Sequence, residues 1–169
     1  MISDQAYKLV ETLGLEPHPE GGFFRETYRS DDFIKGEHLS NKYNGNRNFS
    51  TAIYYLLTAD TFSAFHRIHQ DEVWHFYEGS GLIIHEIDPA GRYTKTVVGS
   101  NIENAEVFQY VVKGGNYFAV ELMDGNDYGL AGCTVAPGFD FVDFDMPGRS
   151  LLLEKFPQHE GLITRLTRA

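Results

Sequence analysis

The stretch FHRIHQDEVWHFYEGSG, residues 65–81, brings three histidines and three carboxylates together. Imidazole and carboxylate at this spacing are the ligands a borderline divalent metal uses, and equally the partners of a metal-free acid–base pocket. Strand alternation sorts them. A period of two puts Glu72, Trp74 and Phe76 on one face and Val73, His75 and Tyr77 on the other. A carboxylate buried beside two large aromatics has its charged form disfavoured, which raises its pKa and suits it to proton transfer. On a half-exposed strand the same residue is an ordinary surface glutamate. Further along, His85 in GLIIHEID shares a face with Ile83 and Ile87 and is expected to point inward. Arg25, in FFRETYRS, is a candidate anchor for an anionic group, although a surface arginine on a strand is the commoner case. No nucleophile motif surrounds Cys133, so it reads as a small buried hydrophobe.

The elements that must hold these groups are mostly strands. Ser3 is placed to cap a helix with Ala6, Leu9, Val10 and Leu13 at helical spacing, and Gly14 stands where a left-handed C-cap belongs. The segment LEPHPEGG then reads as a loop leading into an N-terminal strand, Phe23 to Arg29. Residues 31–48 are polar and rich in Asn and Gly, which predicts a long surface loop. From Phe49 to Met146 the chain runs in short strand-forming segments separated by Gly, Pro, Asp or Asn: FSTAIYYLLT, TFSAFHRI, EVWHFYEG, GLIIHEID, RYTKTVVG, EVFQYVV, NYFAVELM, LAGCTVAP and FDFVDFDM. About nine strands at roughly 8 to 12 residue spacing predict an all-β sandwich or barrel. Residues 147–169 return to helix-forming composition broken by Pro157, as expected of a helical tail packed across the barrel or on a neighbouring subunit. The expected organisation is one domain over 1–169: helix and strand 1–30, loop 31–48, barrel 49–146 and tail 147–169.

Composition narrows the function class. With 169 residues, 42% of them apolar and 14% aromatic, the chain can bury one sizeable core. A net charge of −10, scattered rather than blocked, would repel a phosphate backbone, so nucleic acid is not an expected partner. There is no run of 18 or more apolar residues and no basic-then-apolar leader pattern, so neither membrane insertion nor secretion is expected. The single cysteine excludes an internal disulfide and fits a reducing, cytoplasmic setting.

His66 to Gly79 resembles the first signature of the cupin superfamily, H-x-H-x3-E-x6-G. His66, Glu72 and Gly79 stand at three of its positions and Ile68 replaces the second histidine; His69 is one place too late, which on a strand turns it to the other face. The second signature, P-x-G-x-x-H, has its best counterpart in KGGNYF, residues 113–118, where Gly115 matches but Lys113 and Phe118 replace proline and histidine. The segments GLEPHPEGGFFRETYRS, AFHRIHQDEVWHFYEG and LAGCTVAPGFDFVDFDM together resemble the small cupin-five branch, a domain of unknown function, over nearly the whole chain. The resemblance implies a jelly-roll or double-stranded β-helix barrel, commonly a homodimer, with no settled activity.

Three readings follow. In the first, the barrel encloses a metal-free pocket for a small organic molecule, lined by Glu72, Trp74 and Phe76, with His66 inward by resemblance. By analogy with the related dTDP-sugar epimerases, His66 would be a base and Tyr117 an acid in carbonyl-adjacent proton transfer. Glu72 joins them as a candidate catalytic residue, and Arg25, Trp74, Phe76, His85 and Phe118 are the candidate ligand contacts. The second reading keeps a metal on His66 and Glu72, completed by His75 or His85; with Ile68 and Phe118 in place of two ligands, no metal or other cofactor is expected. The third is a non-catalytic dimeric interaction protein, with the 31–48 loop as an interface arm.

Overall fold

The structure is a computed structural model that describes residues 3–123 and 127–168. Helix α1 (Asp4–Leu13) begins where the Ser3 side chain accepts the Ala6 N–H and ends at Gly14, whose φ of 60° lets its N–H return to the last turn. Its apolar face, Leu9, Val10 and Leu13, rests on Leu15, Leu56 and Leu130. The chain then forms β1 (Glu16–Pro17), β2 (Phe23–Arg29), β3 (Phe33–Ile34), β4 (Arg47–Asn48), β5 (Thr51–Thr58) and β6 (Ser63–His66). It continues with β7 (Asp71–Gly79), β8 (Leu82–Ile87), β9 (Tyr93–Val98), β10 (Gln109–Val112), β11 (Tyr117–Leu122) and β12 (Tyr128–Ala136). The tail supplies α2 (Arg149–Lys155) and α3 (Glu160–Arg165).

Two antiparallel sheets face each other, one in the order β1-β2-β5-β12-β7-β10 and one in the order β6-β11-β8-β9. Tyr55, Leu57 and Trp74 from the first meet Leu82, Ile84, Phe118 and Val120 from the second in the main core. The second sheet is buried on its outer face too. There Phe65, Ile87, Tyr117 and Ala119 are covered by Leu152, Phe156, Ile163 and Leu166 of the tail. The tail thus packs across the barrel.

Two segments depart from expectation. FDFVDFDM is not a strand: it holds a short 3-10 turn at Phe141–Asp143, where the Asp140 side chain accepts the Val142 N–H. An aspartate that bonds its own backbone offers the chain an alternative to a ladder, and that competes successfully with the apolar alternation here. The 31–48 segment carries the β3–β4 ribbon, and its Arg47 is buried against Asp143 with bonds of 2.7 and 2.6 Å. A bidentate charged pair therefore ties this segment to the turn after β12. Among the described residues no helix is long and apolar enough to cross a membrane.

Candidate functional site

A cavity of about 320 Å³ opens between the sheets. Strands β2, β5, β6, β7 and β12 each send alternate side chains into it: Phe24 and Glu26, Thr51, Ile53 and Tyr55, His66, Glu72 and Trp74, Cys133 and Val135. The loop before β2 adds His18 and Glu20, and the turn after β12 lays Phe139, Phe141 and Phe144 along it. Glu20, Tyr55, His66, Ile68, Glu72, Trp74 and Cys133 are buried, whereas Glu26, Arg29 and Phe141 are exposed at the rim.

The His18 and Glu20 loop reaches this place because of the Gly21–Gly22 pair. A β-carbon on Gly21 would stand 2.1 Å from the Phe62 carbonyl oxygen, and one on Gly22 would stand 2.6 Å from that of Leu56. Both residues also have positive φ, 122° and 68°. Only glycine lets the loop lie this close to β5 and the turn that follows it.

The polar groups are arranged in a definite way. His66 Nδ1 lies 2.8 Å from the Ala64 carbonyl and Nε2 lies 3.0 Å from Glu20 Oε2. A carbonyl only accepts, so Nδ1 donates to it, and Nε2 faces the Glu20 carboxyl oxygen. The ring is also packed on Phe118, with centroids 4.1 Å apart, and stacked on Phe144. His18 Nδ1 lies 3.3 Å from the Glu20 backbone N–H and 3.5 Å from Glu20 Oε2. Burial lowers the pKa of His18, with Glu20 opposing the effect, and the ring is neutral at pH 7.

Glu72 is 8% exposed and forms no ion pair among the described residues. Burial, reinforced by the nearby Glu20 carboxylate, raises its pKa to about 8, so near neutral pH it is mainly a carboxylic acid. Burial likewise raises the Cys133 thiol, helped by Glu72, and makes it a poor nucleophile. The Tyr55 hydroxyl donates to the Gly21 carbonyl at 2.7 Å. Trp74 has its Nε1–H buried without a hydrogen-bond partner among the described residues. At the rim Arg29 uses four of its five N–H groups: two bonds go to Glu26, one to Asn48 and one to the Phe139 carbonyl.

The structure brings His66, Glu72 and Trp74 together at this cavity and places the other candidate residues elsewhere. Phe76 shares their face but packs, half-buried, against the main core beyond the lining. Phe118 lies under the His66 ring. Tyr117 points the opposite way, into the cluster beneath the tail, with Arg67 and Lys155 over its ring. It cannot act as an acid opposite His66. His85 also lies on the tail side, bonded to Tyr93 at 2.8 Å and Glu121 at 2.9 Å, so its expected inward direction is corrected. Arg25 is exposed and donates to the Leu13 carbonyl at the end of α1; it secures the helix and does not reach the cavity. His75, on the face opposite Glu72, is held by Thr134 and Gln109. His66 itself has both nitrogens engaged and is not free to serve directly as a base.

These donors do not fit the cupin metal set. Ile68 lines the cavity at the second histidine position, and Phe118 fills the last ligand position with a ring against His66. Among the described residues no group of three or more His, Cys, Asp or Glu is arranged to hold a metal ion.

Sequence comparison agrees with this architecture, since residues 7–147 match the family described as "Cupin superfamily (DUF985)". The chain belongs to this family. It is 36% identical over 145 residues to the uncharacterized protein YML079W of Saccharomyces cerevisiae, covering 80% of this chain and 72% of that protein. A hypothetical protein from Leishmania major has a similar structure, with a TM-score of 0.88 and 33% identity, over 97% of this chain and 99% of that one. Protein SO0799 from Shewanella oneidensis gives a TM-score of 0.87 and 34% identity, over 96% and 97%. Oxalate decarboxylase from Bacillus subtilis, at 14% identity and a TM-score of 0.54, covers 89% of this chain and 36% of its own; it shares the fold alone. The expected cupin jelly roll is therefore the fold of this protein.

Sequence reasoning named Glu20 only as part of a resemblance and missed His18, Tyr55, Arg29 and the Phe139–Phe144 turn as parts of the site. The one usable signal was the Gly21–Gly22 pair, which marks a close approach of backbone.

Proposed function

We propose that this cupin binds a small organic molecule in the cavity between its sheets, without a metal. The observation that carries the reading is the lining itself: aromatic walls from Phe24, Tyr55, Trp74, Phe141 and Phe144 converge with a buried Glu72 that has no charged partner among the described residues. Apolar walls with few convergent polar groups are the usual make-up of a small-molecule site. The geometry favours binding over epimerase-type catalysis, because Tyr117 faces away and both nitrogens of His66 are taken. Where proton transfer does occur, Glu72 is the group able to give the proton.

Association as a homodimer and a cytoplasmic location belong to the same reading. β10 is an edge strand of the six-stranded sheet, and exposed Phe108 and Val111 lie on and beside it. Unpaired apolar edges of this kind are commonly covered by a second copy. The single cysteine, buried as a free thiol, suits a reducing compartment.

The test is native mass spectrometry combined with elemental analysis on protein purified without chelator. A discrete organic mass, released on denaturation and absent from a Trp74→Ala variant that remains folded, supports the reading. Stoichiometric transition metal bound through His66 and Glu72 contradicts it.

A further inference from the structure

The charge and hydrogen-bond inventory of the cavity identifies the class of its occupant; this step rests on the binding function proposed above. Several of the acceptors are already in use. Both oxygens of Glu26 are taken by Arg29, Glu20 Oε2 by His66, and Asp140 Oδ1 by the Val142 N–H. Arg29, the one guanidinium in the lining, spends four of its five N–H groups on Glu26, Asn48 and the Phe139 carbonyl, and its charge is balanced by Glu26. One donor is unmatched: Trp74 Nε1–H is buried without a partner among the described residues. Glu72, buried among Trp74, Cys133 and Glu20 with no cation beside it among the described residues, is held as a proton-bearing acid and adds a second donor.

Unpaired buried donors are costly, and a ligand that supplies acceptors relieves that cost. A carboxylate or phosphate would meet Asp140 and Glu26 at the rim and find no free cation inside. A protonated amine offers no acceptor to the buried Trp74 Nε1–H. We propose that the occupant is an uncharged, flat molecule whose carbonyl-type oxygen accepts hydrogen bonds from Glu72 and Trp74 while its ring lies against Phe24, Phe141 and Phe144.

Benzamide, benzoate and benzylamine share one ring and differ in charge, so they test the assignment directly. Binding of each at neutral pH is measured by calorimetry and by the emission of Trp74, the single tryptophan of the chain. Benzamide is expected to bind more than about tenfold tighter than either charged probe, a ratio equivalent to about 1.4 kcal/mol. Glu72→Gln, which keeps a donor, should retain the preference for benzamide, whereas Glu72→Leu and Trp74→Phe, each checked for folding by its melting curve, should weaken benzamide binding severalfold. A charged probe that binds within tenfold of benzamide, or tighter, overturns the charge assignment and leaves the binding function standing. Failure of all three probes to bind at millimolar concentration overturns both.

Discussion

His66 Nε2 and Glu20 Oε2 lie 3.0 Å apart inside the barrel, and the opposite ring nitrogen is committed to the Ala64 carbonyl. The pair joins the strand that carries the cupin signature to the loop before β2, with both side chains nearly fully buried. Glu20→Ala leaves the imidazole without its partner in a dry site. It should destabilise the protein by about 3 to 5 kcal/mol, with Glu20→Gln costing less because an amide still bonds to the ring. Chemical denaturation of the two variants checks the order. Equal stability of both variants and the parent would remove the pair from the account of the site.

Glu72 has a predictable signature in pH. Its folded pKa of about 8 lies above the ordinary 4.5, so the folded chain holds a proton that the unfolded chain releases. Stability from this group therefore falls as pH rises from about 4.5 and is lowest above about 8. Glu72→Gln removes that penalty. The variant should gain stability over the parent by up to a few kcal/mol at pH 8 and show little gain at pH 4.5. Melting curves at the two pH values decide the matter, and a gain independent of pH would contradict the buried acid.

Much of this site was legible in the sequence because β7 obeys alternation: Glu72 and Trp74 enter the cavity and His75 does not. The inward direction expected of His85 fails for a physical reason, and the role that the epimerase analogy gave Tyr117 fails for the same one. The β6-β11-β8-β9 sheet is buried on both faces, by the main core and by the tail, so a buried face on these strands is not necessarily the cavity face. FDFVDFDM misled in another way, since its aromatics alternate as in a strand while Asp140 and Asp143 bind a turn and Arg47. Contacts between distant segments, such as Arg47 with Asp143 or His66 with Glu20, leave no local pattern to read.

The tail is expected to contribute to the fold's stability rather than decorate it. Leu152 is fully buried over Phe65, Ile87 and Tyr117, whereas its neighbour Leu151 is 54% exposed. Leu152→Ala should cost about 2 to 5 kcal/mol and Leu151→Ala less than about 0.5. Denaturant midpoints for the two variants compare them directly; similar losses would mean that the tail packs differently.

Asp143 anchors the aromatic turn along the cavity, taking two bonds from Arg47 and a third, at 2.7 Å, from Gln70. Asp143→Ala strands the buried guanidinium and should loosen residues 139–144, with a stability loss of about 3 to 5 kcal/mol. Amide exchange in that turn should accelerate more than exchange in β5 or β12. Uniform acceleration across the barrel would show that the pair serves global stability alone.

The central claim is a metal-free cavity that takes an organic ligand beside Glu72 and Trp74. A crystallographic fragment screen without added metal, followed by a soak in Mn²⁺ or Zn²⁺, tests it most directly. The account predicts that neutral aromatic fragments occupy the cavity, with an acceptor atom within hydrogen-bond distance of Glu72 or Trp74 Nε1, and that the metal soak leaves His66 paired with Glu20. A cavity that excludes every fragment, together with a metal ion coordinated by His66 and Glu72, would contradict it.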